Sequence, residues 1–454
     1  MSGAMFGILA SFAAFSATAA LVYLVVVAAA SLAGALTRGG RRERAVDAYE
    51  ALAISRFTIP VSIIVPVETT GPVETTGAVD SKHVPLTGTI QALLDLNYPE
   101  LEVIVVADRV ADASVEALKR EWGLEPKEMF YRRTLPTAPV HRMYASERES
   151  RLIVVEKAAG GRADALNFGA SLARYRYVVS VTPEVQFDAN ALLRLMAPAL
   201  RDPGTVLAVT SYVERKHASA ATSTETADEW TAAGEDFQRL RSIRSWMASR
   251  LAWHQLSCGV PPRDGVSAFR RDVILTLGGF SLDAADPEFD LLIRLQTQPD
   301  GSTGRVVRTS EVFGHAGALP DSDVAAAAAL RRRALHEAFR TLSEKEEGSN
   351  GRLRIMMKSV LAVELITPVA QVFVLIAMIV GTVIGALDWN APFLALLFLT
   401  FGYGLVSAAG LLLRGGTPGA PVGQDLKRLL LRAPLEFVVY MPALLWARRS
   451  AASR

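Results

Sequence analysis

The sequence predicts an α/β domain held at a membrane by apolar helices at its two ends. Two observations carry this. Residues 151–195 run strand, glycine loop, helix, strand, acidic turn, helix. The chain is also 50% hydrophobic with a mean hydropathy of +0.25, and the apolar excess is concentrated at the ends. A length of 454 residues suffices for a large domain with membrane segments besides.

In the central stretch, Leu152 to Val155 is a short apolar run of the buried-strand kind, broken by Gly160 and Gly161. Ala163 to Ala173 places Ala165, Leu166, Gly169 and Leu172 near helical spacing. Tyr177 to Val181 is a second β-rich run, stopped by Thr182-Pro183-Glu184, where the proline ends the ladder. An acid in a turn at the carboxyl end of a buried strand stands where open α/β sheets place their ligands.

The remaining elements follow in chain order. Met5 to Leu36 is apolar and uncharged, and about twenty such residues span a bilayer. Its charge follows it, at Arg38, Arg41, Arg42 and Arg44, opposite to a signal peptide. The positive-inside rule then places residue 40 onward in the cytoplasm. Ile59 to Val67 is a β-branched first strand, running into the tandem repeat PVETTGPVETTG from Pro66 to Gly77, read as a flexible loop. Thr87 to Leu96 reads as a helix, Glu102 to Val106 as a strand, and Gly123 to Glu149 as a polar, irregular surface excursion. Val206 to Val213 is a further strand and Ala218 to Thr226 a loop. Glu229 to Leu256 is a long helix whose Trp230, Phe237, Trp246 and Trp253 suit a core. Ala325 to Leu342 is helical and carries Arg331, Arg332 and Arg333. Spans are expected at about 360–387 and 392–413, joined by an outside turn at Asp388-Trp389-Asn390. Residues 429–447 are apolar but hold Arg432, Glu436 and Pro442, and form either a fourth span or an interfacial helix.

Several function classes are set aside by composition. A net charge of +2 with no basic-aromatic stripe gives no footprint for nucleic acid. One cysteine, Cys258, cannot form an intramolecular disulfide or a cysteine-rich metal site. The six histidines show no ligand spacing, so a metal would be Mg²⁺ or Mn²⁺ on oxygen ligands. There are too few spans, and no paired hydrophobic repeats, for a solute transporter.

Three segments carry a resemblance. AGGRADALN from Ala159 to Asn167, with Thr182-Pro183-Glu184 beyond it, is similar to the Asn-Gly-Gly-Lys-x-x-Ala-Leu-Asn and Asp-x-Asp segments of family-2 (GT-A type) glycosyltransferases. LNYPELEVIVVADRVADAS resembles the family's Tyr-Pro-x-x-Glu strand leading to Asp-Asp, with Ala107 in place of the first aspartate and Asp108 and Asp112 kept. Phe269-Arg270-Arg271, Gly278-Gly279-Phe280 and Arg294-Leu295 match the family's third segment, where Pro287-Glu288 replaces Glu-Asp. Leu330 to Ala334 stands where the family has Gln-x-x-Arg-Trp, with the glutamine and tryptophan missing.

This resemblance, closest to membrane-bound bacterial polysaccharide synthases, implies a GT-A domain over residues 55–345. Its sheet would be mixed and mostly parallel, with helices on both faces, between a membrane helix in 1–40 and a membrane region in 358–454. It implies inverting transfer of a sugar from a nucleotide-diphosphate sugar to a glycan or lipid-linked acceptor, at the bacterial inner membrane with the main domain cytoplasmic. Glu288 is the implied catalytic base. Asp108, Arg162, Asp164, Arg331 and Arg333 are the implied nucleotide-sugar contacts. Glu184 is the implied ligand of a Mg²⁺ or Mn²⁺ held weakly, with the nucleotide. Local readings stand beside these: Asp108 as the N-cap of a helix near Ala113, Glu288 and Asp290 as first-turn helix charges, and the arginines as contacts to anionic lipid headgroups. The substituted motifs leave a second function open, a catalytically impaired homologue that scaffolds or regulates another membrane synthase subunit.

Overall fold

The computed structural model describes residues 58–67, 86–108, 113–216, 229–247, 265–297, 304–317, 321–344, 390–414 and 423–436, with isolated positions between 358 and 385. The expected first membrane helix, the repeated loop at 68–77, the loop at 218–226, most of the expected span at 360–387 and the end of the 429–447 segment lie outside the described residues. The chain divides into two compact units. One comprises Arg41–Arg215 and Asp264–Gly317; the other takes in Met1–Gly40, Lys216–Arg263 and Ala318–Arg454. The 55–345 span is thereby shared between them.

The first unit is built on a ten-stranded sheet in the order β3-β4-β5-β2-β1-β6-β9-β8-β10-β7. Its centre is a parallel block of β5 (Leu152–Lys157), β2 (Leu101–Ala107), β1 (Val61–Val67) and β6 (Tyr177–Ser180). These strands are buried along their whole length, which is why they read as continuous apolar runs rather than alternating ones. Flanking pairs are antiparallel: β3 (Leu124–Pro126) with β4 (Val140–Ser146), β4 with β5, β6 with β9 (Gly265–Arg270), β9 with β8 (Val206–Lys216), and β10 (Arg305–Gly317) with β7 (Val185–Phe187). The expectation of a mostly parallel sheet therefore holds for the central block and is corrected outside it. The 123–149 stretch, expected to be irregular, supplies β3 and β4. Its polar composition reflects an edge: the side chains of β3 after Leu124 are exposed.

Helices cover both faces. Val61, Ile63 and Val65 point into one apolar layer with α1 (Leu86–Leu94), α2 (Ala113–Trp122) and α4 (Ala191–Arg201). Ile64, Ile104 and Val106 point into the other with α3 (Gly161–Leu172), the short α6 (Arg271–Thr276) and α7 (Pro287–Gln296). The period-two alternation of a strand makes this division. Gly169 is needed at the closest approach of α3 to β1, because a β-carbon there would lie 2.7 Å from the side chain of Ile64.

The second unit contains α5 (Glu229–Met247), α8 (Asp321–Glu344), α9 (Asn390–Arg414) and α10 (Gln424–Arg432). Phe237, Leu240 and Ile243 of α5 pack with Leu411 and Leu429, so Phe237 is a core aromatic as its spacing suggests. Arg244 of α5 donates to Glu436 and, at 2.6 Å, to Ser407. Asp236 pairs with Arg428 at 2.8 Å and with Arg432. Arg432 and Glu436, which interrupt an apolar segment in the sequence, are thus partners of α5. Among the described residues, no helix is long and apolar enough to cross a membrane; α9 coincides with the span expected at 392–413, and several of its side chains lie outside the described set.

Candidate active site

The carboxyl ends of β2, β5 and β6 and the first turns of α3 and α7 meet on one side of the sheet. Asp108 directly follows β2 and is buried. Its carboxylate accepts the backbone N–H of Gly160 at 2.6 Å and of Gly161 at 2.9 Å. Those are among the free donors at the start of α3, which carry the positive end of the helix dipole. Asp108 is therefore a helix cap, but of α3, fifty residues on, and not of the helix at Ala113 that its sequence position suggests. Gly161 holds φ +79 in this turn.

Beneath this turn lies a buried ion pair between Lys157, the last residue of β5, and Asp164 in the first turn of α3. Asp164 also accepts the backbone N–H of Ala138 at 2.8 Å and is 3% exposed. Burial pushes the Lys157 ammonium below its ordinary range, and the charge of Asp108 opposes this. Asp164, implied as a donor contact, is spent on holding the 127–139 loop and Lys157.

Arg162 and Glu288 form the centre of the site. Arg162 Nη2 lies 2.6 Å from Glu288 Oε1, and Nε lies 3.1 Å from Oε1 and 3.2 Å from Oε2. Ser180, the last residue of β6, donates to Glu288 Oε1 at 2.8 Å and receives Arg162 Nη2 at 3.3 Å. Asp286 caps α7 by accepting the N–H of Phe289 at 2.9 Å, with Pro287 at the first helical position. This fixes Glu288 in the first turn, where the dipole favours a negative charge. Burial pushes the Glu288 carboxyl up, but the Arg162 guanidinium and its hydrogen bonds, with Ser180, pull it further down, below the usual carboxylate range.

The intact motif residues build the walls. Asn167 binds Phe280 through both backbone groups. Arg294 donates to the carbonyls of Leu277 at 3.0 Å and Gly279 at 2.7 Å, closing the Gly278-Gly279-Phe280 turn. Arg271 donates to the carbonyls of Ala170 and Ser171 at the end of α3, where cations are favoured. The sequence singles out Arg162 and Glu288 separately and includes Asn167 only as the end of a matched segment; it gives no role to Ser180 or Lys157. Ser180 carried a faint signal, a polar residue closing an apolar run.

The remaining implied residues are Glu184, Arg331 and Arg333. Glu184 is exposed between β6 and β7, with Thr182 two residues before it in place of a second carboxylate. Among the described residues, no group of three His, Cys, Asp or Glu side chains could hold a metal ion. A single carboxylate such as Glu184 leaves most of a divalent ion's ligands to be supplied by a bound phosphate or water. Arg331 is half-buried and Arg333 exposed on α8, in the second unit.

No protein-family model matches the chain, and no curated protein is similar to it. Among solved structures it is similar to the mannosyltransferase PcManGT from Pyrobaculum calidifontis, determined with GDP-Man and Mn²⁺, at 16% identity and a TM-score of 0.49, over 93% of this chain and 99% of that one. It is also similar to residues 1–349 of S. aureus TarS, at 13% identity and a TM-score of 0.36 over 87% of this chain and 88% of that one. The TarS structure with UDP-GlcNAc gives 11% identity and a TM-score of 0.35 over 86% and 92%. Similarities of this size decide neither family nor chemistry.

Proposed function

We propose that the chain is a membrane-anchored, family-2-like glycosyltransferase of the GT-A type. It would transfer a sugar from a nucleotide-diphosphate sugar to a polysaccharide or lipid-linked acceptor with inversion. The observation that carries this reading is the Arg162–Glu288–Ser180 group at the carboxyl end of β6. It joins two motif segments 126 residues apart and puts a guanidinium and a carboxylate side by side.

In this reading Glu288 takes the proton of the acceptor hydroxyl as its oxygen attacks the anomeric carbon. The bond from that carbon to the diphosphate oxygen breaks, and the electron pair leaves with the nucleoside diphosphate. Arg162 steadies that developing charge, a planar fork being suited to phosphate oxygens. Arg331 and Arg333 are further candidate contacts to diphosphate or acceptor. A divalent ion, when bound, would supply charge neutralisation to the leaving group. With Glu184 as the one protein carboxylate, such an ion would be held chiefly by the donor's phosphates.

The membrane anchor rests on Met5 to Leu36 with its following arginines and on the apolar segments after residue 358. Phe393, Leu397, Phe401 and Leu405, four residues apart along α9, are all exposed, a stripe that suits lipid. The orientation that follows puts the α/β domain in the cytoplasm.

One observation favours the second reading, a non-catalytic homologue that serves another synthase subunit. Both oxygens of Asp108 are taken by Gly160 and Gly161, and Glu288 is taken by Arg162 and Ser180. Turnover of UDP- and GDP-sugars by the full chain in detergent, with and without Mg²⁺, separates the two. An enzyme should lose about a hundredfold to ten-thousandfold in turnover on Glu288→Gln. If polysaccharide output in cells requires the protein yet ignores Glu288→Gln, the scaffold reading takes its place.

A further inference from the structure

Arg162 and Glu288 are engaged with each other, although the proposed reaction needs each of them free for something else. A guanidinium fork that grips one carboxylate through Nε and Nη2 presents the same two N–H groups that a phosphate would take. We infer that the Arg162–Glu288 pair is a donor-operated latch, in which the diphosphate of an arriving nucleotide competes with Glu288 for Arg162 and by taking it frees the base. This rests on the glycosyltransferase reading and adds to it an order of events: the base becomes competent only once the leaving group is in place.

Three features of the site support the exchange. Both side chains are reachable, Arg162 being 25% and Glu288 17% exposed, so a diphosphate can meet the guanidinium without any element unfolding. A helix N-terminus is an ordinary phosphate site, but at α3 the first N–H groups already serve Asp108. That directs an incoming diphosphate to the side chain of the next residue, Arg162. Lastly, Glu288 keeps the Ser180 hydroxyl and the N-terminal field of α7 when the arginine leaves, so it stays in place while its proton affinity rises. The swap exchanges one anion for another at Arg162 and leaves the number of ion pairs unchanged. No bond is made or broken in it.

The test is binding of UDP and GDP, by calorimetry, to the full chain in detergent. If the latch is closed in at least nine molecules of ten, removing the competitor should tighten nucleoside diphosphate binding by about tenfold or more. Glu288→Gln should do so, Glu288→Asp should fall between it and the unaltered protein, and uridine and guanosine, which lack phosphates, should gain nothing. Arg162→Ala should weaken diphosphate binding and abolish the gain from Glu288→Gln. The inference is overturned if the unaltered protein binds a nucleoside diphosphate and neither Glu288 variant binds it more tightly. If no form of the protein binds UDP or GDP, the glycosyltransferase reading itself falls and the latch with it. The Asp variant keeps the charge, so the test survives a Gln variant that folds poorly.

Discussion

Asn167 and Phe280 hold each other twice: the Asn167 amide donates to the Phe280 carbonyl at 2.9 Å, and its oxygen accepts the Phe280 N–H at 2.7 Å. Both residues are buried. The last residue of the AGGRADALN segment thus does for the Gly278-Gly279-Phe280 turn what a neighbouring strand would do. With its start steadied by this bond, the segment leading into α7 delivers Glu288 to Arg162.

Replacing Asn167 by Leu should leave two buried backbone groups without partners. At about 1–3 kcal/mol for each such group, unfolding in urea should report a loss of about 3 kcal/mol. A loss well under 1 kcal/mol would show that water or a local shift satisfies the turn.

Two glycines in the same site should respond differently to alanine. Gly161 has φ +79 and open space around a would-be β-carbon, so Gly161→Ala should cost only the backbone penalty of about 1–2 kcal/mol. Gly279 has φ +85, and its β-carbon would meet Leu135 at 2.9 Å and the Asn167 side chain. Crowding adds about 1–3 kcal/mol, so Gly279→Ala should be the more destabilised of the two in thermal melts. Equal melting temperatures for the two variants would contradict this.

The depressed Glu288 carboxyl makes stability depend on pH. Its folded value lies below its ordinary value of 4.5. Its contribution is therefore fully present above the unfolded value and is lost as pH falls through the folded one. The stability gap between the unaltered protein and Glu288→Gln should be constant from pH 7 to about 5 and should shrink below that. Urea titrations at stepped pH would show it; a gap that persists undiminished to pH 3 would refute the ion pair's role.

The proposed orientation is open to labelling in intact cells. With Cys258 replaced by serine, a cysteine at Asn390 should react with an impermeant maleimide from outside, and one at Ser81 should not. Reaction at Ser81 would reverse the topology.

The strands of the parallel block were legible in the sequence because strands buried on both faces must be apolar throughout, and few other segments are. Helix α3 was legible from the helical spacing of Ala165, Leu166, Gly169 and Leu172, and the start of α7 from Glu288 and Asp290 as first-turn charges. The chain alone also singled out Arg162 and Glu288, each from its place in a motif. It could not show that they face one another, because the contact spans 126 residues and depends on how β6, α3 and α7 pack. Nor could it separate Asp164 from Arg162, two residues apart on one helix turn. Packing sends Asp164 inward to Lys157 and Ala138 and leaves Arg162 at the mouth of the site. For Asp108 the sequence left two readings, a nucleotide-sugar contact and the cap of the helix near Ala113; the pairing of β2 with β5 brings its carboxylate to the start of α3 instead. Residue type fixed which groups need a partner; the three-dimensional arrangement decided which partner each one found.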